Sequence, residues 1–98
     1  MKLYAIRRSS GWGSADDLQA AAARSTKVGD EEMSSDIRWI RSYVVQESDG
    51  GLGTICIYQA SSPEKIREHA TRADLPATEI WEIADTVIVR PDPESVTA

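Results

Sequence analysis

The segment that decides the fold runs from Asp36 to Pro76, DIRWIRSYVVQESDGGLGTICIYQASSPEKIREHATRADLP. Residues 37–46 are rich in β-branched and aromatic side chains and predict a strand, and residues 52–59 predict a second one. Between them lies Asp49-Gly50-Gly51, whose glycines supply the positive φ angles that a tight hairpin turn requires. The segment therefore begins as an antiparallel hairpin.

A helix is predicted directly after the hairpin. Ser61 and Glu64 have the spacing of a capping box, and Pro63 is tolerated in the first helical turn. The apolar stripe of this helix consists of Ile66, Ala70 and Ala73. Pro76 ends the helix, and His69, the only histidine of the chain, lies at the edge of the apolar stripe. The segment thus predicts strand, turn, strand and helix.

The flanking sequence completes a familiar pattern. Residues 2–8 predict a first strand, Ser14 caps a first helix, and residues 79–90 predict a last strand. The order strand, helix, strand, strand, helix, strand is the ferredoxin-like arrangement. We therefore predict an α+β fold, βαββαβ, in which two helices cover one face of a four-stranded antiparallel sheet. Residues 1–91 would form this single domain, and residues 92–98 a flexible C-terminal tail.

The strand at 37–46 also predicts a partner. Strict alternation puts on one of its faces Ile37, Trp39, Arg41, Tyr43 and Val45. The other face then carries Arg38, Ile40, Ser42, Val44 and Gln46. Both faces are half apolar, which is typical of a sheet covered on both sides. Because the two helices cover only one face, we predict a homodimer through the open sheet face.

Composition and charge exclude several classes of protein. The chain has 98 residues, 41% of them hydrophobic, which suits one small globular domain. The net charge of −5 argues against a nucleic-acid partner and against an anionic membrane surface. There is no apolar run of membrane-spanning or signal-peptide type, and a lone cysteine, Cys56, suits a reducing compartment. We therefore predict a cytoplasmic protein with no nucleic-acid or membrane partner.

The sequence carries few chemical motifs. It has no phosphate loop, dinucleotide fingerprint or paired CxxC, and one histidine is not enough to assign a catalytic triad. One His and one Cys are too few ligands for a closed zinc site in a monomer. Imidazole together with carboxylates, thiolate, tyrosine or water would suit nickel or another divalent metal, and a dimer would double the supply of ligands. The residues alone permit a metal site without demonstrating one.

Three blocks of sequence carry a resemblance to a known family. They are Trp39-Ile40-Arg41-Ser42-Tyr43, then Cys56-Ile57-Tyr58-Gln59-Ala60, then Ile66-Arg67-Glu68-His69-Ala70 followed by Ala73 and Leu75-Pro76. In this order and spacing, the chain resembles a small bacterial domain-of-unknown-function family whose best-described type is a Streptomyces nickel-binding protein. The resemblance extends from Tyr4 to Pro91. It implies a ferredoxin-like fold, a homodimer of the dimeric α/β-barrel kind, and nickel as the bound metal.

The resemblance also implies roles for particular residues. Carried over residue by residue, His69 is the first candidate metal ligand, with Cys56 and Tyr58 beside it on the neighbouring strand. The chain departs from the family at Asp74, where a glycine is usual. Since aspartate tolerates the left-handed backbone conformation, we predict that the end of the helix is preserved.

These observations leave three functions open. The first is a non-enzymatic divalent-metal-binding protein of the nickel type, acting as a homodimer. The second is a dimeric α/β-barrel protein that binds or transforms a small apolar molecule in a pocket between sheet and helices. Trp39, Tyr43 and Tyr58 would line this pocket, and His69 would serve as acid or base. The third is an assembly module without a ligand, and the fold alone does not choose among the three.

Overall fold

The computed structural model describes residues 1–93 of the chain. Its elements in order are β1 (Lys2–Trp12), α1 (Ala15–Lys27), a short π-helical turn (Val28–Glu32), β2 (Ile37–Gln46), β3 (Leu52–Ala60), α2 (Pro63–Ala73) and β4 (Glu79–Glu82). The strands form one antiparallel sheet in the order β2-β3-β1-β4. The predicted α+β, ferredoxin-like fold is therefore confirmed. Within residues 1–93 the sheet is open and does not close into a barrel, so the dimeric barrel stays a prediction.

A serine side chain caps the N-terminus of each helix, and a left-handed residue ends α2. The Ser14 hydroxyl accepts a hydrogen bond from the Asp17 amide and begins α1, as predicted. The cap of α2 is Ser62, which accepts from the Lys65 amide, whereas the Ser61 hydroxyl donates to the Asp36 carboxylate. The predicted capping residue was therefore wrong by one position. Asp74 ends α2 with φ 56° and ψ 54°, which confirms that aspartate adopts the left-handed conformation here.

A β-bulge divides β2 into two halves. Trp39 lies opposite Tyr58 and Arg41 lies opposite Ile57, so Ile40 is an extra residue in the strand. Directly opposite residues share a face of the sheet. Trp39 therefore faces the helices, whereas Arg41 and the residues that alternate with it face the open side. The predicted alternation through residues 37–46 was wrong, because a bulge reverses the phase of every residue that follows.

The last strand is much shorter than the predicted 79–90. It pairs with β1 from Glu79 opposite Arg7 to Glu82 opposite Tyr4, and the Ile83 amide still donates to the Leu3 carbonyl at 2.9 Å. Since β4 runs antiparallel to β1, it reaches the N-terminal end of β1 at this point, and residues 1–93 offer no further partner strand. The chain then crosses to the opposite edge of the sheet, where Asp92 accepts hydrogen bonds from Arg41 and Tyr43 on β2. Of the predicted tail, residues 94–98 lie outside the described residues.

The hydrophobic core lies between the sheet and the helices. It consists of Tyr4, Ile6, Val28, Met33, Ile37, Cys56, Tyr58, Ala60, Ile66 and Ala73. On the open side of the sheet, by contrast, Tyr43 is 43% and Trp81 is 45% exposed. Among residues 1–93 there is no helix long and apolar enough to cross a bilayer.

Candidate functional site

A small polar cluster lies buried where α1, β3 and α2 meet. The Tyr58 hydroxyl is 2.8 Å from Ser25 Oγ, and His69 Nε2 is 3.1 Å from the Ser25 carbonyl oxygen and 3.4 Å from Ser25 Oγ. The Tyr58 and His69 rings are 5.3 Å apart at a tilt of 59°. Ser25, Tyr58 and His69 are each no more than 4% exposed. Tyr58 and His69, two candidate site residues from the sequence, therefore meet here. Ser25, which sequence reasoning did not identify as a candidate, connects them.

The surroundings keep this cluster neutral. Burial lowers the pKa of His69, and the nearby Arg8 charge lowers it further, against the opposing effect of the hydrogen bond to the Ser25 backbone. Burial also raises the pKa of Tyr58, although the Ser25 hydrogen bond and Arg8 oppose the change. Because a neutral imidazole donates through only one nitrogen, the contact with the Ser25 carbonyl places the proton on Nε2. His69 Nδ1 then keeps its lone pair and has no partner in residues 1–93.

These residues supply only part of the ligand set of a metal site. The His69 arrangement suits a ligand, since metal-binding histidines usually donate their other ring N–H to a carbonyl or carboxylate. Cys56, however, is buried with its Sγ 3.2 Å from Thr54 Oγ1, and the Tyr58 hydroxyl is engaged by Ser25. Within residues 1–93, no three His, Cys, Asp or Glu side chains come together as a metal site. The predicted ligands therefore do not form a complete nickel site in one chain, and their role as ligands stays a prediction.

A pocket of about 520 Å³ lies between α1 and the sheet. Its wall is mainly apolar and includes Trp12, Leu18, Ala22, Trp39, Val44 and Leu75. Trp39 stacks on Tyr58, with ring centroids 6.1 Å apart and planes 7° apart, and its Nε1 donates to Ser42 Oγ at 2.8 Å. The alanine-rich sequence of α1 contributes to the space, because Ala15, Ala21 and Ala22 in the pocket wall have short side chains.

The structure places the predicted pocket residues in three different environments. Trp39 and Tyr58 form part of the pocket wall. Tyr43 lies on the other face of the sheet, where its hydroxyl donates to Asp92. His69 lies behind Ser25 and is not part of the pocket wall. An acid or base role for His69 in this pocket would thus have to pass through Ser25 or Tyr58.

Sequence reasoning missed the most unusual residue of the pocket wall, Arg8. It is 1% exposed, and its Nη1 donates to the Pro76 carbonyl at 2.5 Å. Its Nη2 has no hydrogen-bond partner in residues 1–93. The signal was available in β1, because alternation from Tyr4 and Ile6 puts Arg8 on the same, core-facing side.

Comparison with known proteins identifies the family. A family model described as nickel responsive protein SCO4226-like matches residues 4–83. The crystal structure of SCO4226 from Streptomyces coelicolor A3(2) is 19% identical, covers 87% of this chain and 99% of its own, and superposes with a TM-score of 0.69. At this identity the structural match shows the shared fold, and comparison with curated proteins gives no match. Because the family match spans most of the chain, this protein belongs to the SCO4226-like nickel-responsive protein family, as the sequence resemblance predicted.

Proposed function

We propose that this protein binds a small, largely apolar molecule in the pocket between α1 and the sheet. The pocket itself carries the proposal, since about 520 Å³ lies within the range of ordinary ligand sites, roughly 300–1,000 Å³. The pocket is an open cleft with a mainly apolar wall, which is the usual character of a small-molecule site. An apolar space of this size beside the core therefore favours an occupant. Trp39, which is 38% exposed, offers a flat apolar surface to that occupant.

The test of this proposal uses a neutral apolar probe and a pair of matched variants. Binding of 1-decanol is followed by calorimetry and by tryptophan fluorescence, because Trp12 and Trp39 both line the pocket. Ala22→Leu adds bulk inside the pocket, whereas Ala23→Leu adds the same bulk to the next residue, which is exposed on α1. We expect decanol to bind the wild type and Ala23→Leu equally, and Ala22→Leu at least about tenfold more weakly. Absence of binding to the wild type, or equal binding to both variants, would refute the proposal.

We further propose that the protein acts as a homodimer through the open sheet face. Tyr43 and Trp81 are exposed on this face. The segment after β4 adds Val87, Ile88 and Val89, which are between 77% and 87% exposed. Large apolar side chains that are exposed in this way favour an interaction surface. A second copy supplies the complementary apolar face without requiring any other partner.

The dimer is tested by light scattering coupled to size-exclusion chromatography. We expect wild type to elute as a dimer at micromolar concentration and Trp81→Glu as a monomer, because a charge would then be buried at the interface. Thr71→Glu, on the exposed side of α2, is the control and should remain dimeric. A monomeric wild type would rule out this part of the proposal. Cytoplasmic location, and the absence of nucleic-acid and membrane partners, stay predictions from the sequence.

Nickel-type divalent-metal binding is the second candidate function. Two observations favour it, the description of the family and the free lone pair of His69 Nδ1. Cys56 and Tyr58 would complete the ligand set only by exchanging their present contacts with Thr54 and Ser25. Nickel titration of protein purified without a histidine tag should then give binding that is lost in His69→Gln. The control is Arg67→Gln, which changes an exposed residue on the same helix as His69 and should leave nickel binding unchanged. Binding heat that persists in His69→Gln would exclude His69 as a ligand.

A further inference from the structure

The Arg8 side chain is a buried cation with an unused donor. It is 1% exposed, and one of its terminal nitrogens donates to the Pro76 carbonyl while the other, Nη2, has no partner in residues 1–93. The guanidinium carbon lies 5.9 Å from the centroid of the Tyr58 ring. A backbone carbonyl and an aromatic face stabilise the charge in part but do not neutralise it.

Two other arginines of the sheet have carboxylate partners. Arg7 pairs with Glu47, and Arg41 pairs with Asp92. No carboxylate lies within 4.0 Å of the Arg8 nitrogens in the part of the chain that the structure describes. Because burial of an unpaired guanidinium charge is strongly unfavourable, this position favours a bound anion.

The place where that anion would bind is the pocket. Arg8 is part of the pocket wall. The other cationic residue of that wall is Arg41, which forms a salt bridge with Asp92 on the open face of the sheet. The remaining wall is mainly apolar, with Trp39 and Leu18 on facing sides, one on β2 and one on α1. One unpaired guanidinium nitrogen at an apolar pocket matches a molecule with one anionic group and an apolar body.

We propose that the natural ligand is an amphipathic monocarboxylate, of the medium-chain fatty acid or aryl acid class. Its carboxylate accepts a hydrogen bond from Arg8 Nη2, which is covered in the unliganded fold and becomes accessible when the guanidinium turns towards the pocket. Its apolar body lies against Trp39 and Leu18. A phosphate monoester would bring a second negative charge, for which the described residues of the pocket wall supply no further unpaired cation. This inference rests on the proposed function, since it names the chemical class of the molecule that the pocket binds.

The first experiment compares three probes on the wild-type protein. Decanoate, 1-decanol and decylamine have the same ten-carbon chain and differ in charge, and each is titrated calorimetrically near neutral pH below its critical micelle concentration. We expect decanoate to bind about 10- to 100-fold more tightly than decanol, the gain of one charge-assisted hydrogen bond, and decylamine to bind most weakly. Equal affinity of decanoate and decanol would overturn the inference while leaving the proposed function intact. Failure of all three probes to bind would instead overturn the proposed function.

The second experiment identifies the residue. Arg8→Met keeps an unbranched side chain and removes the guanidinium, and Arg67→Met removes one charge from the exposed side of α2. We expect Arg8→Met to lose the preference for decanoate over decanol and Arg67→Met to retain it. An unchanged preference in a folded Arg8→Met, as judged by circular dichroism, would overturn the inference. If Arg8→Met does not fold, the ratio of decanoate to decanol affinities is measured for Arg8→Lys and compared with the wild-type ratio. Lysine retains the charge, so this variant should retain most of the preference for decanoate.

Discussion

The hydrogen bond between Tyr58 and Ser25 holds the buried cluster together, and Tyr58→Phe measures its strength. The substitution removes one hydroxyl and leaves the ring, so that packing against Trp39 and His69 is unchanged. Ser25 Oγ then keeps only His69 Nε2, at the longer distance of 3.4 Å. Leaving a buried hydroxyl with a poorer partner costs about 1–2 kcal/mol. For a domain of this size each kcal/mol corresponds to about 4–8 °C in Tm.

The assay is urea unfolding with a matched control. Tyr43→Phe removes a tyrosine hydroxyl of the same chemistry at an exposed position, where it donates to Asp92, and we expect it to change the free energy of unfolding by less than about 0.5 kcal/mol. The double variant with Ser25→Ala should cost less than the sum of the single variants, because both remove the same contact. If Tyr58→Phe is no less stable than Tyr43→Phe, or if the two single variants are additive, the cluster does not stabilise the fold as argued.

Three further perturbations address the cluster, the end of α2 and a crowded glycine. His69→Gln should flatten the pH dependence of the free energy of unfolding. The pKa of His69 is lowered in the fold by burial, so below about pH 6.5 the unfolded chain binds a proton that the folded chain does not. The wild type therefore loses stability as the pH falls, and the variant does not. Urea unfolding across this range checks the difference, and parallel profiles would contradict it. Asp74→Gly should raise the free energy of unfolding by about 0.5–1 kcal/mol, because Asp74 has φ 56° and glycine adopts this conformation without strain. Thermal melts measure the change, and the control Asp74→Ala should melt at a lower temperature than the wild type. Gly53→Ala should destabilise by about 1–3 kcal/mol, since its Cβ would lie 2.6 Å from Glu47 Oε1 and 2.7 Å from the Arg8 carbonyl oxygen. Gly13→Ala has no contact closer than 3.9 Å and should melt within about 2 °C of the wild type, whereas equal melting of the two glycine variants would contradict the crowding.

Local sequence signals predicted the elements whose determinants are local. The hairpin followed from its glycines, α1 from its serine cap, and the left-handed end of α2 from the tolerance of aspartate for that conformation. The order of the elements was enough to predict the sheet, because short connections allow few arrangements of two βαβ-like halves. These features depend on residues close together in the chain.

The features that sequence reasoning missed depend on distant partners. The end of β4 is set by where β1 begins. Residues 83–90 have a strand-like composition, but no strand in the described part of the chain pairs with them. The environment of Arg8 is set by Pro76 and Tyr58, which lie far from it in the chain. Helical spacing predicts His69 at the edge of the apolar stripe, but in the structure it is buried, because Ser25 on α1 covers it. No local pattern contains this information.

The bulge at Ile40 is the clearest case, and it explains why the pocket exists. Without the extra residue, continued alternation from Trp39 would turn Arg41 and Tyr43 towards α1, and these two long side chains would fill the space between helix and sheet. With it, the residues opposite Cys56 and Thr54 are Ser42 and Val44, which are short. The same shift takes the Arg41 charge out to Asp92 and leaves Arg8 as the unpaired cation of the pocket wall. One inserted residue therefore contributes to both the volume of the pocket and its charge, so the ligand preference proposed above depends on strand register as well as on the side chains themselves.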